Sequence, residues 1–189
     1  MSSSPENLST AQHLFQILDS VLEPRSCAYV AGPLDSGKAH YERIAAQNDC
    51  SDLRSSNEDR LKTFVCQLRR RLDYPVFDPG LLKVAGWSPR DHGEFFLEVI
   101  RKYAKECWFL DEWEYSVGAS KEFVFCWTIK TPCYSECGEQ ISVIHGIRLI
   151  RQAADFTRSL HLDDTKLRSR ADDLVQLGTA AEEPEISGG

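Results

Sequence analysis

An α/β domain built on an open parallel sheet, with helices on both faces, is the fold class that this 189-residue sequence predicts. Two observations lead there. Short apolar runs at 27–31, 75–77, 107–110 and 133–135 alternate with longer stretches whose apolar residues recur at helical spacing. Each run ends in turn formers or a helix cap, as parallel strands joined through crossover helices require. About five strands are expected, with one extra helix ahead of the first.

From a cap at Ser9, Leu14, Ile17, Leu18, Val21 and Leu22 mark an amphipathic helix that Pro24 stops. Cys27 to Ala31 form the first strand, and Gly32-Pro33-Leu34-Asp35-Ser36-Gly37 is a loop of turn formers. A helix starts near Lys38, pauses over a polar stretch from Asn48 to Asn57 that reads as an insertion, and resumes with Leu61, Phe64, Val65, Leu68 and Leu72. Pro75, Val76 and Phe77 make the second strand, ended by Asp78-Pro79-Gly80. A loop from Leu81 to Arg90 follows, and then a helix through Phe95, Phe96, Val99, Ile100 and Tyr103. After the strand at Cys107, Ser116 caps a helix carrying Glu122, Phe123, Phe125 and Cys126. Thr131-Pro132 introduces a short strand at Cys133 to Ser135, and Ile141 to Ala154 continue mostly as helix. Residues 1–8 are expected to be disordered, 9–170 to form a single domain and 171–189 to be mostly a disordered tail, its Gly-, Glu- and Pro-containing part beginning near Leu177.

Composition narrows the function classes. With 42% hydrophobic residues the chain can bury a core, and a net charge of −7 argues against a nucleic-acid polymer as partner. No apolar run approaches the length of a membrane span, and the amino-terminal Met-Ser-Ser-Ser-Pro-Glu lacks the basic start and apolar middle of a signal peptide. A cytoplasmic protein with no membrane partner is expected. Of the seven cysteines, Cys27, Cys66, Cys107 and Cys126 sit in apolar patterns and are expected to be reduced and structural. Cys126, Cys133, Cys137 and His145 lack the spacing of a zinc knuckle, so neither a metal nor a cofactor is expected.

In an open α/β sheet, ligands bind outside the carboxyl ends of the strands. Ser116, Gly118 and Glu122 fall at such an end, where a serine cap and free amides receive a phosphate and Gly118 lets a ligand approach the backbone. Glu122 is a charged residue among apolar helix neighbours, which favours function over surface decoration. Gly32, Pro33, Ser36, Gly37 and Lys38 can complete a phosphate cup, with Lys38 balanced between neutralising charge and facing solvent. Asp78, Asp91, His92 and Glu94 are candidates for a second catalytic group, among which spacing does not choose. Trp87, Trp113 and Tyr115 are stacking candidates for a base, though burying a turn is the more ordinary role.

Two fragments imitate another machine. Gly32 to Ala39 nearly match the phosphate-binding loop G-x-x-x-x-G-K-[ST], and Trp108 to Glu112 resemble the apolar strand and acid that assist magnesium in such enzymes. Against a P-loop phosphotransferase or ATPase, Ala39 lacks the metal-binding hydroxyl, and Asp35 puts a carboxylate where triphosphate must be cradled.

Tyr29-Val30-Ala31-Gly32-Pro33, together with Trp113 to Glu122, resembles the nucleoside 2-deoxyribosyltransferase superfamily, and most of all its nucleoside 5'-monophosphate N-glycosidase branch. The similarity spans roughly Cys27 to Tyr134. It implies a flavodoxin-like doubly wound sheet and a glutamate nucleophile, here Glu122, which attacks the anomeric carbon and releases the base. Tyr29 matches the tyrosine that contacts that glutamate, and Ser116 stands where the transferase branch has an aspartate for a free 5'-hydroxyl. Serine there suits a phosphate, since a carboxylate would repel the dianion. The acid expected ahead of the helix at Phe95 has no clear match, with Glu94 and Glu98 only nearby. The resemblance also implies a homodimer, for which the face from Leu14 to Leu22 is a candidate contact. The expected activity is hydrolysis of a nucleoside 5'-monophosphate, or transfer of its sugar to another base. The alternatives are a P-loop phosphotransferase, an NAD glycohydrolase and a non-catalytic nucleotide-binding module.

Overall fold

The computed structural model describes residues 9–182, with side chains through residue 178. In chain order the elements are α1 (Thr10–Val21), β1 (Cys27–Ala31), α2 (Lys38–Ala45), α3 (Ser51–Arg71), β2 (Val76–Phe77), α4 (Pro89–Tyr103), β3 (Ala104–Phe109), α5 (Val117–Thr128), β4 (Cys133–Ser135), α6 (Val143–Ser159) and α7 (Thr165–Glu182). Single 3-10 turns stand at Pro79–Leu81 and Trp113–Tyr115. The strands form one all-parallel sheet in the order β2-β1-β3-β4, consistent with a flavodoxin-like fold. The chain leaves β1 first toward β2 and later crosses to β3, so the order reverses between β1 and β3, the place where open α/β sheets bind ligands.

Alternation along β1 divides the core in two. Ala28 and Val30 point to the face covered by α3, where Leu61, Phe64, Val65 and Leu68 meet them. Cys27, Tyr29 and Ala31 point to the other face, packed by α4, α5, α6 and α7 through Val99, Phe123, Ile150, Leu167 and Leu174. All five residues of β1 are buried, as expected of a central strand covered on both sides.

Ser9 and Ser116 cap their helices as expected, and Ser88, expected in a loop, caps α4. Ser9 and Gln12 form a capping box on α1, Ser88 and Asp91 form another on α4, and Ser116 caps α5 by accepting from Ala119 N at 3.3 Å. On α1, Leu14, Phe15, Leu18 and Leu22 turn inward onto the domain. Ile17 and Val21 face outward from that helix, 59% and 67% exposed.

Three expectations are corrected. The sheet has four strands among the described residues, not five. After β4 the chain forms α6 and α7, and in α7 the buried residues Leu167, Ala171 and Leu174 recur at a helical period. Residues 171–182 therefore continue helix α7, which packs through Ala171 and Leu174, and are not a tail, while 1–8 and 183–189 lie outside the described residues. The stretch from Asn48 to Asn57 is not an insertion either. Its second part is the start of α3, and buried Asn57 donates to Leu34 O at 3.2 Å and Ser36 O at 2.9 Å, holding the loop after β1. Among the described residues, no helix is long and apolar enough to cross a membrane.

One helix contact is close enough to test. A Cβ on Gly146 of α6 would lie 2.1 Å from Cε1 of fully buried Phe123, so alanine there forces α5 and α6 apart. Gly146→Ala is expected to cost about 1–3 kcal/mol. A thermal melt should show a drop of about 2–4 °C for each kcal/mol lost, and an unchanged melting temperature would contradict this packing.

Candidate active site

A cleft of about 900 Å³ opens over the carboxyl ends of β1, β2 and β3. Gly32, Leu34, Asp35 and Ser36 of the loop after β1 line it, facing Ser116, Val117, Gly118 and Glu122 of α5. Leu82, Val84 and Trp87 from the loop after β2, with His92, Gly93 and Phe96 of α4, make a largely apolar third wall.

Glu122 stands in the second turn of α5, with one side in the cleft and its neighbours Phe123 and Cys126 in the core. Its Oε1 accepts the Tyr29 hydroxyl at 2.8 Å. Tyr29 is fully buried and stacks on Phe77 with ring centroids 5.7 Å apart, so the phenol is held by its own strand and the next. Burial lifts the Glu122 carboxyl to about 8, against the downward pull of the Tyr29 hydrogen bond. Burial, reinforced by the Glu122 charge, also holds the Tyr29 phenol well above its ordinary value, which makes Tyr29 a fixed donor and not a proton carrier. Beneath them, Cys126 Sγ lies 3.2 Å from Cys107 Sγ, and all seven cysteines are free thiols. Cys66, expected in an apolar pattern, is exposed on α3.

The amino terminus of α5 is the anion-receptive part of the cleft. Ser116 Oγ accepts from Ala119 N and Ser116 O accepts from Ser120 N at 2.8 Å. The amides of Val117 and Gly118 belong to the first turn and have no carbonyl to bond within the helix. Gly118 is exposed, and a Cβ built on it meets only Ser116 Oγ, at 3.7 Å. Packing within the chain therefore does not demand glycine there.

Several expected site residues lie elsewhere. Trp113 is 3% exposed, with its ring 5.0 Å from Phe109 and 4.6 Å from Phe123, so it fills the core and cannot stack on a ligand. Pro33 and Gly37 are buried and do not line the cleft. The Lys38 ammonium sits 5.2 Å from the Phe156 ring, away from the cleft wall. Asp78 caps its own turn by accepting from Gly80 N at 2.9 Å, which shapes the cleft floor without lining it. Of the stacking candidates only Trp87 reaches the cleft.

The near-match to a phosphate-binding loop has its anion supplied internally. Glu112, at φ 70°, turns its carboxylate across to α2, where Oε2 accepts from Lys38 N at 3.2 Å. A Cβ on Gly37 would lie 2.9 Å from that oxygen.

Two residues of the cleft carry no sequence signal. Arg54 reaches the rim from α3 and donates from Nη1 to both oxygens of Asp35, at 2.6 and 2.7 Å, and from Nε to Glu58 at 2.9 Å. Tyr41 of α2 lines the cleft and donates to Tyr115 O at 3.1 Å.

Comparison of the chain with protein-family models, with curated proteins and with solved structures finds no match.

The raised Glu122 value is a statement about stability. An unfolded glutamate ionises near pH 4.3, whereas native Glu122 keeps its proton to about 8. The native state therefore binds the extra proton between those values, and Glu122 costs stability increasingly as pH rises through that window. Glu122→Gln removes the charge and keeps the shape. The variant should melt above the parent, by a margin larger at pH 9 than at pH 6; a margin that is absent or falls with pH would contradict the burial described.

Proposed function

We propose that the protein cleaves the N-glycosidic bond of a nucleoside 5'-monophosphate, with Glu122 as nucleophile. The observation that carries this is the 2.8 Å hydrogen bond between Tyr29 and a carboxylate on the wall of a cleft whose other end is a serine-capped helix terminus. It supports the resemblance of the Tyr29 and Ser116 to Glu122 segments to nucleoside monophosphate N-glycosidases, two segments far apart in the chain that meet at one site.

In this mechanism the phosphate rests on the Val117 and Gly118 amides and the Ser116 hydroxyl, helped by the α5 dipole. The sugar then lies against Glu122. As the bond from the anomeric carbon to the base breaks, positive charge develops on the sugar, and the Glu122 carboxylate first stabilises it and then forms a glycosyl ester. Water, or a second base, releases the sugar. Tyr29 donates to one carboxylate oxygen and so turns the other toward the cleft. A carboxylate that holds its proton up to about pH 8 is basic and poorly hydrated, and once ionised it is a stronger nucleophile than one in water.

Geometry does not favour a P-loop phosphotransferase, because the Glu112 carboxylate sits against the α2 terminus that would cradle the phosphates. NAD cleavage and simple nucleotide binding are outcomes of the same assay. Incubation with a panel of nucleotides, NAD and ATP, without magnesium, should release free base from a monophosphate. Glu122→Gln should remain folded and lose at least about a thousandfold in turnover, on the order of 4 kcal/mol of transition-state stabilisation. A folded variant that still releases base near the parent rate would remove Glu122 from the mechanism.

Phosphate recognition is tested at Ser116. Ser116→Asp replaces a hydroxyl by a like charge at the phosphate position and should raise KM for the monophosphate at least about tenfold, while sparing the free nucleoside. Equal handling of the monophosphate by variant and parent would place the phosphate elsewhere.

A further inference from the structure

The proposed mechanism needs a group to protonate the departing base, and α4 presents one side chain to the cleft that can do so. We propose that His92 is that acid, delivering a proton from Nε2 to a ring nitrogen of the base. The assignment rests on the glycosidase reading above.

The face of α4 settles what spacing alone leaves open. Pro89, His92, Gly93 and Phe96 line the cleft at helical spacing. The acidic residues of the same helix point elsewhere: Asp91 is held in the Ser88 capping box, Glu94 pairs with Arg90 at 2.7 Å, and both border a separate hollow beside Phe15 with Glu98. The other ionisable side chains of the cleft are engaged. Asp35 is held by Arg54, Lys83 pairs with Glu58 at 3.1 Å, and the Tyr41 hydroxyl donates to a carbonyl.

The orientation of the ring suits the task. His92 Nδ1 lies 3.0 Å from Ser88 O, and a carbonyl only accepts, so Nδ1 carries a hydrogen and Nε2 is the atom that gains and loses the exchangeable proton. Trp87, 5.1 Å away and nearly perpendicular, holds the ring from the side. Phe96 lies 6.2 Å from the His92 ring and 6.5 Å from the Tyr29 ring, which joins the imidazole to the Tyr29–Glu122 pair along one aromatic wall. A base docked on that wall has the imidazole at its edge, while its sugar meets Glu122.

The steps balance. The imidazolium gives its Nε2 proton to the base, the glycosidic bond breaks with its electron pair going to the base nitrogen, and a Glu122 oxygen bonds to the anomeric carbon. Neutral base leaves and His92 is neutral. Water then attacks the anomeric carbon and gives its proton to solvent, the Glu122 ester oxygen departs with the bonding pair, and His92 regains its Nε2 proton from solvent.

The test compares two leaving groups. Guanosine monophosphate methylated at N7 releases a neutral base without protonation, whereas the unmodified nucleotide that the parent cleaves best does not. His92→Asn keeps a donor for Ser88 O, and His92→Gln keeps a donor at longer reach; neither transfers a proton. Both variants, shown folded by thermal melt, should lose at least about a hundredfold in kcat on the unmodified nucleotide, with KM nearly unchanged. On the methylated nucleotide they should stay within about threefold of the parent. If the parent is active on both substrates and folded variants lose activity on both equally, or on neither, the assignment of His92 is overturned and the glycosidase reading stands. A parent that frees base from neither substrate overturns that reading and the His92 assignment together.

Discussion

The hydrogen bond between Tyr29 and Glu122 is the contact around which the rest of the cleft is organised, because it sets a carboxylate against an apolar interior that would otherwise exclude it. A hydrogen bond to a charged group returns about 1.5–3 kcal/mol, less than the several kcal/mol lost on desolvating an ion. The balance is visible in the raised proton affinity of Glu122. Three parts of the fold meet at that bond. Tyr29 must lie at the centre of the most buried strand, Phe77 must pair beside it in register, and α5 must begin at Ser116 so that Glu122 arrives in its second turn. A buried carboxyl held on a cleft wall is what the proposed function requires of its nucleophile.

Glycines mark where the cleft is kept open. Glycine inside a helix costs about 0.5–1 kcal/mol relative to alanine, so each needs a cause. At Gly146 the cause is packing, since any Cβ would strike Phe123. At Gly93 of α4 a Cβ would meet nothing within 4 Å, and at Gly118 of α5 only the Ser116 hydroxyl at van der Waals distance. Both residues border the cleft, one on each of two helices.

Much of this was legible in the residues themselves. Short apolar runs locate the strands, caps at Ser9 and Ser116 locate α1 and α5, and helical spacing locates the body of α4, because those signals are local and strong. Ser116, Gly118 and Glu122 could be placed because strand, cap and helix follow one another within a single stretch. The resemblance, rather than periodicity, pointed to Tyr29. What escaped depends on contacts far apart in sequence. Asn57 and Arg54 sit in a polar stretch that looks like an insertion until the loop after β1 folds over it. Trp113 reads as a cleft aromatic because it stands in a loop-like motif, but the 3-10 turn points it at Phe109 and Phe123. Lys38 follows a glycine-rich loop, yet its side chain goes to Phe156 of α6, far along the chain.

Helices α2 and α5 both begin at the carboxyl edge of the sheet, after β1 and β3, and each terminus attracts an anion by its dipole and its free amides. Their sequences divide the work between them. At α2 the glycine-rich loop looks built for phosphate, but the Glu112 carboxylate accepts the Lys38 amide and crowds Gly37, so an internal charge meets the dipole. At α5 the cap is the neutral Ser116, the second residue is an exposed glycine, and the terminus opens into the cleft that holds Glu122. A phosphate brought to α2 would have to displace a tethered carboxylate and overcome its repulsion. At α5 the free amides and the Ser116 hydroxyl can donate, and in the proposed function the sugar of a phosphate bound there would lie beside Glu122. The motif that most resembles a nucleotide loop is thus closed by the chain itself, and the plainer serine-capped terminus is the one that opens into the cleft.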